Sequence, residues 1–281
     1  MIIVKELIDA FLGFRKNETS GLAERVKICD YLKLTRCNVS IEKLMKKELP
    51  KIPDEIQNAL IKNKITSTSF YEKNDILKLE ELQKEAGYKK MEDGSHLVSM
   101  YCPMPNITSE MIEWWFWWHP QRTERYQVWF PESHFSIGFS KKQEDYFECE
   151  NLPSFQNNTQ YPVEKIGGAK IPLRIDFVSP KEFGFSESIM QENDIPLIVC
   201  GHVGAFSGFI WHTEMAHIFK QTEDGLYMIS RFWLGKTMKN PLLRKLIITD
   251  KMAKGMAEHC CIEYRNLVEI LPILYLENRH I

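Results

Sequence analysis

Hydrophobic residues near the C-terminus recur every three or four positions, which predicts one long helix over about residues 248–270. Proline lacks a backbone N–H and disfavours a helix interior, so we expect this helix to end at Pro272. Two ionisable residues, His259 and Glu263, interrupt the apolar face, and their spacing places one above the other. The whole face comprises Met252, Met256, His259, Glu263, Leu267 and Ile270.

The pair of His259 and Glu263 needs a charged partner if this face is buried. Taking an unpaired carboxylate out of water costs several kcal/mol, and a divalent cation that also binds the imidazole offsets this more effectively than a lone lysine. Two other interpretations stay open: the helix is rotated so that both groups are solvated, or the two groups bond only each other. Cys260 and Cys261 point elsewhere around the helix, so neither is expected to bind a metal.

The middle of the chain alternates runs of strand composition with turn residues. A very aromatic helix, Thr108–Trp118, is predicted between the first two strands, with Thr108 as its N-cap. Many antiparallel strands followed by one long helix predict an α+β fold in which the sheet wraps the helix and leaves a cavity between them. The predicted strands are His96–Cys102, Tyr126–Phe139, Lys170–Phe177, Leu197–Val203, Phe206–Phe219 and Leu226–Leu234.

The pattern upstream of these strands is helical. Residues 1–48 predict two or three short amphipathic helices, one further helix begins after Pro53, and another covers Leu77–Ala86. We therefore expect an N-terminal helical region over residues 1–88 and a sheet-and-helix domain with the metal site over residues 89–281.

Charge and composition narrow the kind of partner. Among 281 residues, 36 Lys and Arg nearly balance 38 Asp and Glu without a long basic run, so no nucleic-acid partner is predicted. No apolar stretch approaches the roughly 20 residues of a membrane span, and charged residues near the start disqualify a signal peptide. Seven cysteines without a CxxC pair favour a reduced cytoplasm. We expect a soluble cytoplasmic protein with a small ligand and no membrane partner, and the aromatic content is compatible with a homodimer.

Two other histidine segments are candidates for a site. His134 begins an alternating strand and would share its face with Ser136 and Gly138, a small polar face that suits a site interior; the alternative is a surface histidine on an edge strand. His212 and His217 are five apart on a predicted strand and hence on opposite faces, so only one can reach a given site.

The remaining candidates carry weaker signals. Glu164 precedes a Gly-Gly turn, where a solvated loop carboxylate is the commoner meaning, and Glu148 and Glu150 lie upstream as alternatives. His119 follows the aromatic helix and is expected to cap its C-terminal carbonyls. His202 is interpreted as a loop histidine or a satisfied core histidine.

Several segments, by their order and combination, resemble the 2,4-diacetylphloroglucinol hydrolase family over about residues 50–275. The segments are Asp93–Ser95, Pro105–His119, Arg125–Trp129, Pro131–His134, Glu164–Gly168, Ser230–Gly235 and the pair His259 and Glu263.

This resemblance implies a START-type helix-grip fold with an N-terminal helical extension and a zinc ion in its cavity. Carried over residue by residue, the zinc ligands would be His134, Glu164, His259 and Glu263, and Tyr126 and His217 would lie near the substrate as catalytic residues. Where the family pattern has a substrate-binding tyrosine, this chain has Phe232, so one hydroxyl is lost. Residues 1–48 have no counterpart in the family.

The resemblance implies a zinc-dependent hydrolase that cleaves the carbon–carbon bond between an acyl group and an activated, phloroglucinol-like or β-dicarbonyl carbon of an aromatic ketone. The competing hypothesis is a non-catalytic carrier, in which the same cavity holds a hydrophobic or aromatic ligand and the metal is structural. An iron oxygenase is disfavoured, because its usual site has two histidines and one carboxylate.

Overall fold

The computed structural model describes residues 26–28, 39–140, 143, 147 and 156–279. They form an α+β fold built on one large antiparallel sheet, as the strand pattern predicts. No helix in this part of the chain combines the length and apolar character that a membrane span needs.

The sheet contains every strand of the described residues. The strands are β1 Val26–Ile28, β2 Gly87–Lys90, β3 His96–Pro105, β4 His134–Ser136, β5 Gly138–Ser140, β6 Asn158–Gln160, β7 Val163–Ile166, β8 Ala169–Val178, β9 Leu197–Ala205, β10 Ile210–Thr222 and β11 Gly225–Leu234. Their order in the sheet is β1-β5-β6-β8-β9-β10-β11-β3-β2, and β7 pairs with both β8 and the short β4.

The helices lie before, between and after the strands. The α-helices are α1 Val39–Met45, α2 Asp54–Lys62, α3 Lys73–Lys78, α4 Glu80–Gln83, α5 Ser109–Trp118, α6 Thr123–Gln127, α7 Pro180–Phe183, α8 Glu187–Glu192, α9 Pro241–Ile247 and α10 Asp250–Asn278. Short 3-10 turns cover Phe70–Glu72 and His119–Gln121. Thr108 caps α5 as predicted, because its side chain accepts a hydrogen bond from the backbone N–H of Met111.

The alternation of side chains along the long strands separates two cores. On β10, Met215 faces the cluster that packs against α10, whereas Ala216 and Ile218 face a second cluster on the outside of the sheet. The outer cluster is covered by α3 and by Phe183 at the end of α7. Helix α10 thus lies on the inner face of the sheet, and a cavity remains between them.

The end of the long helix was predicted wrongly. Helix α10 continues through Pro272 to Asn278. Leu271 and Leu274 on either side of the proline are fully buried, and the Tyr275 hydroxyl lies 2.6 Å from Oε1 of Glu110 on α5. Burial of this extra turn against α5 offsets the one hydrogen bond that the proline removes.

Two shorter segments also differ from the prediction. Tyr126 lies in α6 rather than in a strand, and the strand expected up to Phe139 is split at Ile137 into β4 and β5. The helix predicted over Leu77–Ala86 breaks at Leu79, which is extended. Periodicity alone does not distinguish a helix from a strand in such short apolar runs, so tertiary packing decides between them.

The N-terminal part of the chain does not stand apart from the main core. Ile41, Ile56 and Leu60 belong to the same buried cluster as the inner sheet face and α10. The helices α1 and α2 agree with the helical pattern, whereas β1 pairs with β5 at one edge of the sheet. The other helices expected in residues 1–48 fall outside the described residues, and the division at residue 88 stays a prediction.

Replacing Gly255 by alanine should destabilise the protein. A Cβ atom there would lie 2.5 Å from the Cα of Gly167, in the turn that follows β7, and that backbone would have to move. We expect a loss of about 1–3 kcal/mol in the free energy of unfolding, measured by urea denaturation. This sign is opposite to the usual helix preference for alanine. Lys254→Ala, at an exposed neighbouring position, is the control, and a Gly255→Ala variant as stable as wild type would contradict the contact.

Candidate metal centre and cavity

Helix α10 brings His259 and Glu263 to its buried face, as the apolar stripe predicts. The two residues are 6% and 7% exposed, and His259 Nε2 lies 3.5 Å from Glu263 Oε2. Burial excludes the interpretation in which the helix is rotated and both groups are solvated.

The strand pair β4 and β7 brings His134 and Glu164 to the same place. These two residues are direct partners in the antiparallel register, although they are thirty positions apart in sequence. His134 is 1% exposed, and the Glu164 side chain is 12% exposed. The register shifts between His134 and Ser136, so the simple alternation expected along this segment is interrupted.

The four side chains lie close together, and three of them, His134, Glu164 and His259, form a group that could hold a metal ion. His134 Nε2 lies 3.3 Å from His259 Nε2 and 3.5 Å from Glu263 Oε2, and His259 Nε2 lies 3.8 Å from Glu164 Oε2. Ligand bonds of about 2.1 Å in a tetrahedral site place ligand atoms roughly 3.4 Å apart. One ligand atom each from His134, Glu164 and His259 lies within 4.8 Å of the others, and Glu263 is not part of this group. These three residues could therefore hold a divalent metal, and Glu263 lies beside them with its Oε2 3.5 Å from both imidazoles.

The neighbours of His134 orient it as a ligand. Its Nδ1 lies 3.1 Å from the carbonyl oxygen of Tyr126, which can only accept, so Nδ1 carries a proton and Nε2 is the nitrogen that faces the cluster. The Tyr126 ring stacks on the His134 ring at 4.1 Å between centroids, with an angle of 1° between planes. The Tyr126 hydroxyl donates a hydrogen bond to Glu164 Oε1. Tyr126 thus holds one ligand of each type.

Charge compensation within the cluster shows in the pKa values. Burial by itself would raise the pKa of Glu263, but the imidazoles of His259 and His134 outweigh it and lower that pKa to about 2. Burial, followed by the nearby Glu164 carboxylate, raises the pKa of Tyr126 well above its usual value, so the hydroxyl stays protonated. At neutral pH the Glu263 carboxylate is accordingly ionised, and the Tyr126 phenol is a hydrogen-bond donor.

A mostly apolar cavity adjoins the cluster between the inner sheet face and α10. Its polar lining residues are His119, Tyr126, Gln160, Glu164, Thr213, His217, His259, Glu263 and Tyr264. Its apolar lining residues are Phe116, Trp129, Ile137, Pro162, Ile166, Leu173, Ile175, Phe177, Val203, Met215, Phe232 and Met256. A concave apolar space with few convergent polar groups is typical of a small-molecule site.

His217 and Phe232 meet on the wall formed by β10 and β11. Their ring centroids are 5.5 Å apart. His217 Nδ1 lies 2.7 Å from Ser230 Oγ, and that hydroxyl donates to Met228 Sδ at 2.6 Å, so it accepts from Nδ1–H. Burial lowers the pKa of His217 to about 4, so the ring is neutral at pH 7 and Nε2 keeps its lone pair.

The other histidines and cysteines are placed as follows. His212 is buried with its Nδ1 2.5 Å from Thr213 Oγ1 and does not line the cavity, in agreement with its predicted opposite face. His202 Nδ1 lies 2.6 Å from Glu214 Oε2 on the outer face of the sheet. Cys260 and Cys261 are buried free thiols outside the group of candidate metal ligands found among the described residues. Glu148 and Glu150 lie outside the described residues.

Sequence reasoning missed four lining residues. His119 was expected only to cap α5; its Nδ1 does contact the Trp115 carbonyl oxygen at 2.8 Å, but the residue also lines the cavity. Thr213 could have been found, because it lies four positions before His217 on the same strand face. Tyr264 follows Glu263 at a position that the helical pattern does not assign to the site, and Gln160 lies on a strand of only three residues.

Comparison with known proteins gives consistent matches. Residues 67–276 match the family model described as DAPG hydrolase PhiG domain. The chain is 30% identical over 230 residues to the 2,4-diacetylphloroglucinol hydrolase of Pseudomonas protegens, covering 73% of this chain and 72% of that protein. It is 31% identical over 222 residues to the phloretin hydrolase of Eubacterium ramulus, covering 75% and 78%. A solved structure from Mycobacterium smegmatis aligns with a TM-score of only 0.35 at 10% identity, over 63% of this chain and 94% of that chain, which is too weak to inform the fold.

The two buried tyrosines of the cavity should respond differently to loss of the hydroxyl. The Tyr126 hydroxyl donates to Glu164, whereas the Tyr264 hydroxyl is buried without a hydrogen-bond partner among the described residues. In chelator-treated protein, Tyr126→Phe should lower the free energy of unfolding by about 1–3 kcal/mol, because it leaves a nearly buried carboxylate without its donor. Tyr264→Phe should be neutral or slightly stabilising. Urea denaturation of the two variants side by side measures this, and equal losses would show that the Tyr126 contact has no special weight.

Proposed function

The chain belongs to the DAPG hydrolase PhiG domain family, and from this membership we propose that it is a zinc-dependent hydrolase that cleaves the carbon–carbon bond joining an acyl group to an activated ring or β-dicarbonyl carbon. The observation that carries the proposal is the juxtaposition of a buried two-histidine, two-carboxylate cluster with an apolar cavity that contains a neutral histidine. The substrate class is an aromatic ketone of the phloroglucinol type.

The proposed reaction adds water across one carbon–carbon bond. A hydroxyl oxygen from water bonds to the acyl carbon, the bond from that carbon to the ring breaks, and the ring carbon takes a proton. The products are a carboxylic acid and the ring bearing hydrogen. Ring oxygens in conjugation with the leaving carbon hold its electron pair as an enolate, which is why an activated ring is required.

We infer that His134, Glu164, His259 and Glu263 hold the zinc ion. Imidazole and carboxylate ligands without cysteine suit zinc, and the ligand atoms of His134, Glu164 and His259 lie within 4.8 Å of one another. When bound, such an ion supplies positive charge that stabilises negative charge on oxygen and lowers the pKa of water. Tyr126 positions two of the ligands through its ring and its hydroxyl.

His217 is the proposed general base. Its lone pair on Nε2 is available at neutral pH, and Ser230 fixes the tautomer that presents it. The imidazole can take a proton from water and return it to the leaving ring carbon. Burial disfavours the imidazolium form of His217, so the ring would pass the proton on rather than retain it.

Tyr126 is the proposed hydrogen-bond donor to a ring or acyl oxygen. Its hydroxyl has one proton, which Glu164 accepts. Donation to a substrate therefore requires Glu164 to be satisfied by another group, as a bound cation would do. Phe232 packs beside His217 and offers no hydroxyl to a substrate.

We also propose a fold type, a domain division and an oligomeric state for this protein. An antiparallel sheet whose inner face packs against α10, with a cavity between them, supports a START-type helix-grip architecture. Residues 1–88 would be an N-terminal helical extension, whose last two residues, Gly87 and Tyr88, already begin β2. A homodimer remains our expectation for the assembly.

A non-catalytic carrier with a structural metal is the second candidate. A cluster with four protein ligands favours it, since closed four-ligand sites are typical of structural zinc. The similarity to known hydrolases favours the enzyme instead, and His217 supplies the base that hydrolysis requires.

Turnover decides between the two candidates. Purified protein loaded with zinc should release a carboxylic acid from an acylphloroglucinol, followed by chromatography, and chelation should abolish the release. Zinc that binds in stoichiometric amount without any release of acid from a panel of acylphloroglucinols and β-dicarbonyl compounds would favour the carrier.

Replacing Glu164 by glutamine should sharply weaken zinc binding. The change keeps the shape of the side chain but removes a charged ligand, and we expect an affinity loss of at least about 10-fold, measured by competition with a chromogenic chelator. Glu258→Gln is the matched control, because Glu258 lies on α10 beside His259 but pairs with Lys254 on the outside. Equal affinities for both variants would remove Glu164 from the ligand set.

The substrate preference should follow the missing hydroxyl at Phe232. Diacetylphloroglucinol should be a poor substrate, and a less hydroxylated acyl compound should be better, by roughly 1–3 kcal/mol per missing hydrogen bond. Phe232→Tyr should raise kcat/KM for the polyphenol alone, and His217→Ala should lower kcat for both compounds. Unchanged ratios between the substrates, or full activity of His217→Ala, would show that other residues line the reacting position.

A further inference from the structure

The cavity contains a third histidine, His119, that the proposed reaction does not use. It is 1% exposed and begins the 3-10 turn after α5. Its ring stacks on Trp115 at 5.2 Å and meets Trp129 edge-on at 5.3 Å, so packing fixes its orientation. The Tyr126 ring contacts both His119 and His134, which places His119 on the wall next to the metal-ligand cluster.

One ring nitrogen of His119 is engaged and the other is free. Nδ1 lies 2.8 Å from the Trp115 carbonyl oxygen, which can only accept, so Nδ1 carries the proton. Burial lowers the pKa of His119 to about 3, and the ring is neutral at pH 7. Nε2 consequently has a lone pair, and no group in the described part of the chain donates a hydrogen bond to it.

Because His119 lines the cavity, a ligand that fills the cavity separates Nε2 from water, which is costly unless the ligand supplies a donor. The groups of the cluster itself are already engaged: the carboxylates face imidazoles, and the Tyr126 hydroxyl donates to Glu164. The surrounding wall is aromatic, which suits a planar ring.

We propose that His119 Nε2 accepts a hydrogen bond from a ring hydroxyl of the bound substrate and thereby selects hydroxylated aromatic rings over their methyl ethers. The choice of an aromatic substrate rests on the proposed function, but the recognition itself involves no bond cleavage. A methyl ether has no proton to donate and leaves Nε2 unpaired. His119 is a specificity residue in this role, whereas His217 is the base.

Binding of rings without an acyl group tests the inference independently of hydrolysis. The affinity of zinc-loaded protein for phloroglucinol and for 1,3,5-trimethoxybenzene is measured by tryptophan fluorescence. His119→Asn keeps an amide N–H for the Trp115 carbonyl but removes the atom at Nε2. We expect it to lower the affinity for phloroglucinol about 10-fold or more and to change that for the ether less than about twofold.

The matched control is His212→Asn, which alters another buried neutral histidine that does not line the cavity. It should leave both affinities unchanged. If His119→Asn lowers both affinities equally, His119 is only a packing residue and the inference fails. Wild-type protein that does not bind phloroglucinol more tightly than the ether overturns it as well.

A measurement on wild-type protein covers the case in which His119→Asn does not fold. Nitrogen-15 spectra of labelled histidines, assigned with His119→Gln, should show the unprotonated Nε2 of His119 shifting on addition of phloroglucinol and not on addition of the ether. An unchanged signal overturns the inference. Phloroglucinol binding through His119 without turnover of any acyl substrate would sustain it while refuting the proposed hydrolase activity.

Discussion

Two carboxylates and two imidazoles meet in the interior of this protein, and their mutual compensation is the constraint on which the surrounding structure depends. A buried carboxylate is tolerated only where opposite charge or several donors face it. Glu263 meets this requirement because His259 and His134 both lie 3.5 Å from its Oε2. Two of the four groups come from α10 and two from a pair of short strands, so the helix and the sheet edge must be held together closely.

Several contacts around the cluster hold α10 against the strand pair β4 and β7. The side chain of Asn266 on α10 donates to the backbone carbonyls of Val128 and Trp129, and the Trp129 indole donates to the Glu263 carbonyl. Gly255 allows the backbone of α10 to approach Gly167 in the turn after β7. These contacts fix the chain just before β4 and just after β7 to the same helix. The strand pair that carries His134 and Glu164 is therefore positioned from both ends.

Three histidines in and beside the cavity share one hydrogen-bonding pattern. His134, His119 and His217 each have Nδ1 engaged by a protein acceptor, namely the carbonyls of Tyr126 and Trp115 and the hydroxyl of Ser230. Each ring thereby carries a proton on Nδ1 and turns Nε2 toward the cluster or the cavity. This hydrogen-bonding pattern supports three proposed roles: a metal ligand, a specificity residue and a general base. Apolar walls keep His119 and His217 neutral, because a charged imidazole is poorly solvated there.

The sequence by itself determined the elements with strong periodicity and the two ligands that share one of them. The stripe of α10 placed His259 and Glu263 on one buried face, and alternation along β10 separated His212 from His217. The α+β class followed from the order of strands and helix. Local pattern was sufficient in each case, because burial of one face of a regular element dictates which residues point inward.

Only the tertiary structure decided what depends on contacts between distant segments. It paired Glu164 with His134 across β4 and β7, placed Tyr126 on a helix instead of a strand, and carried α10 through Pro272. It also put His119 on the cavity wall as well as at the end of α5. None of these features has a local periodic signal. Residues far away in the chain set the strand register, the packing of the helix end against α5 and the direction of a single ring. No short stretch of sequence specifies how those distant residues approach.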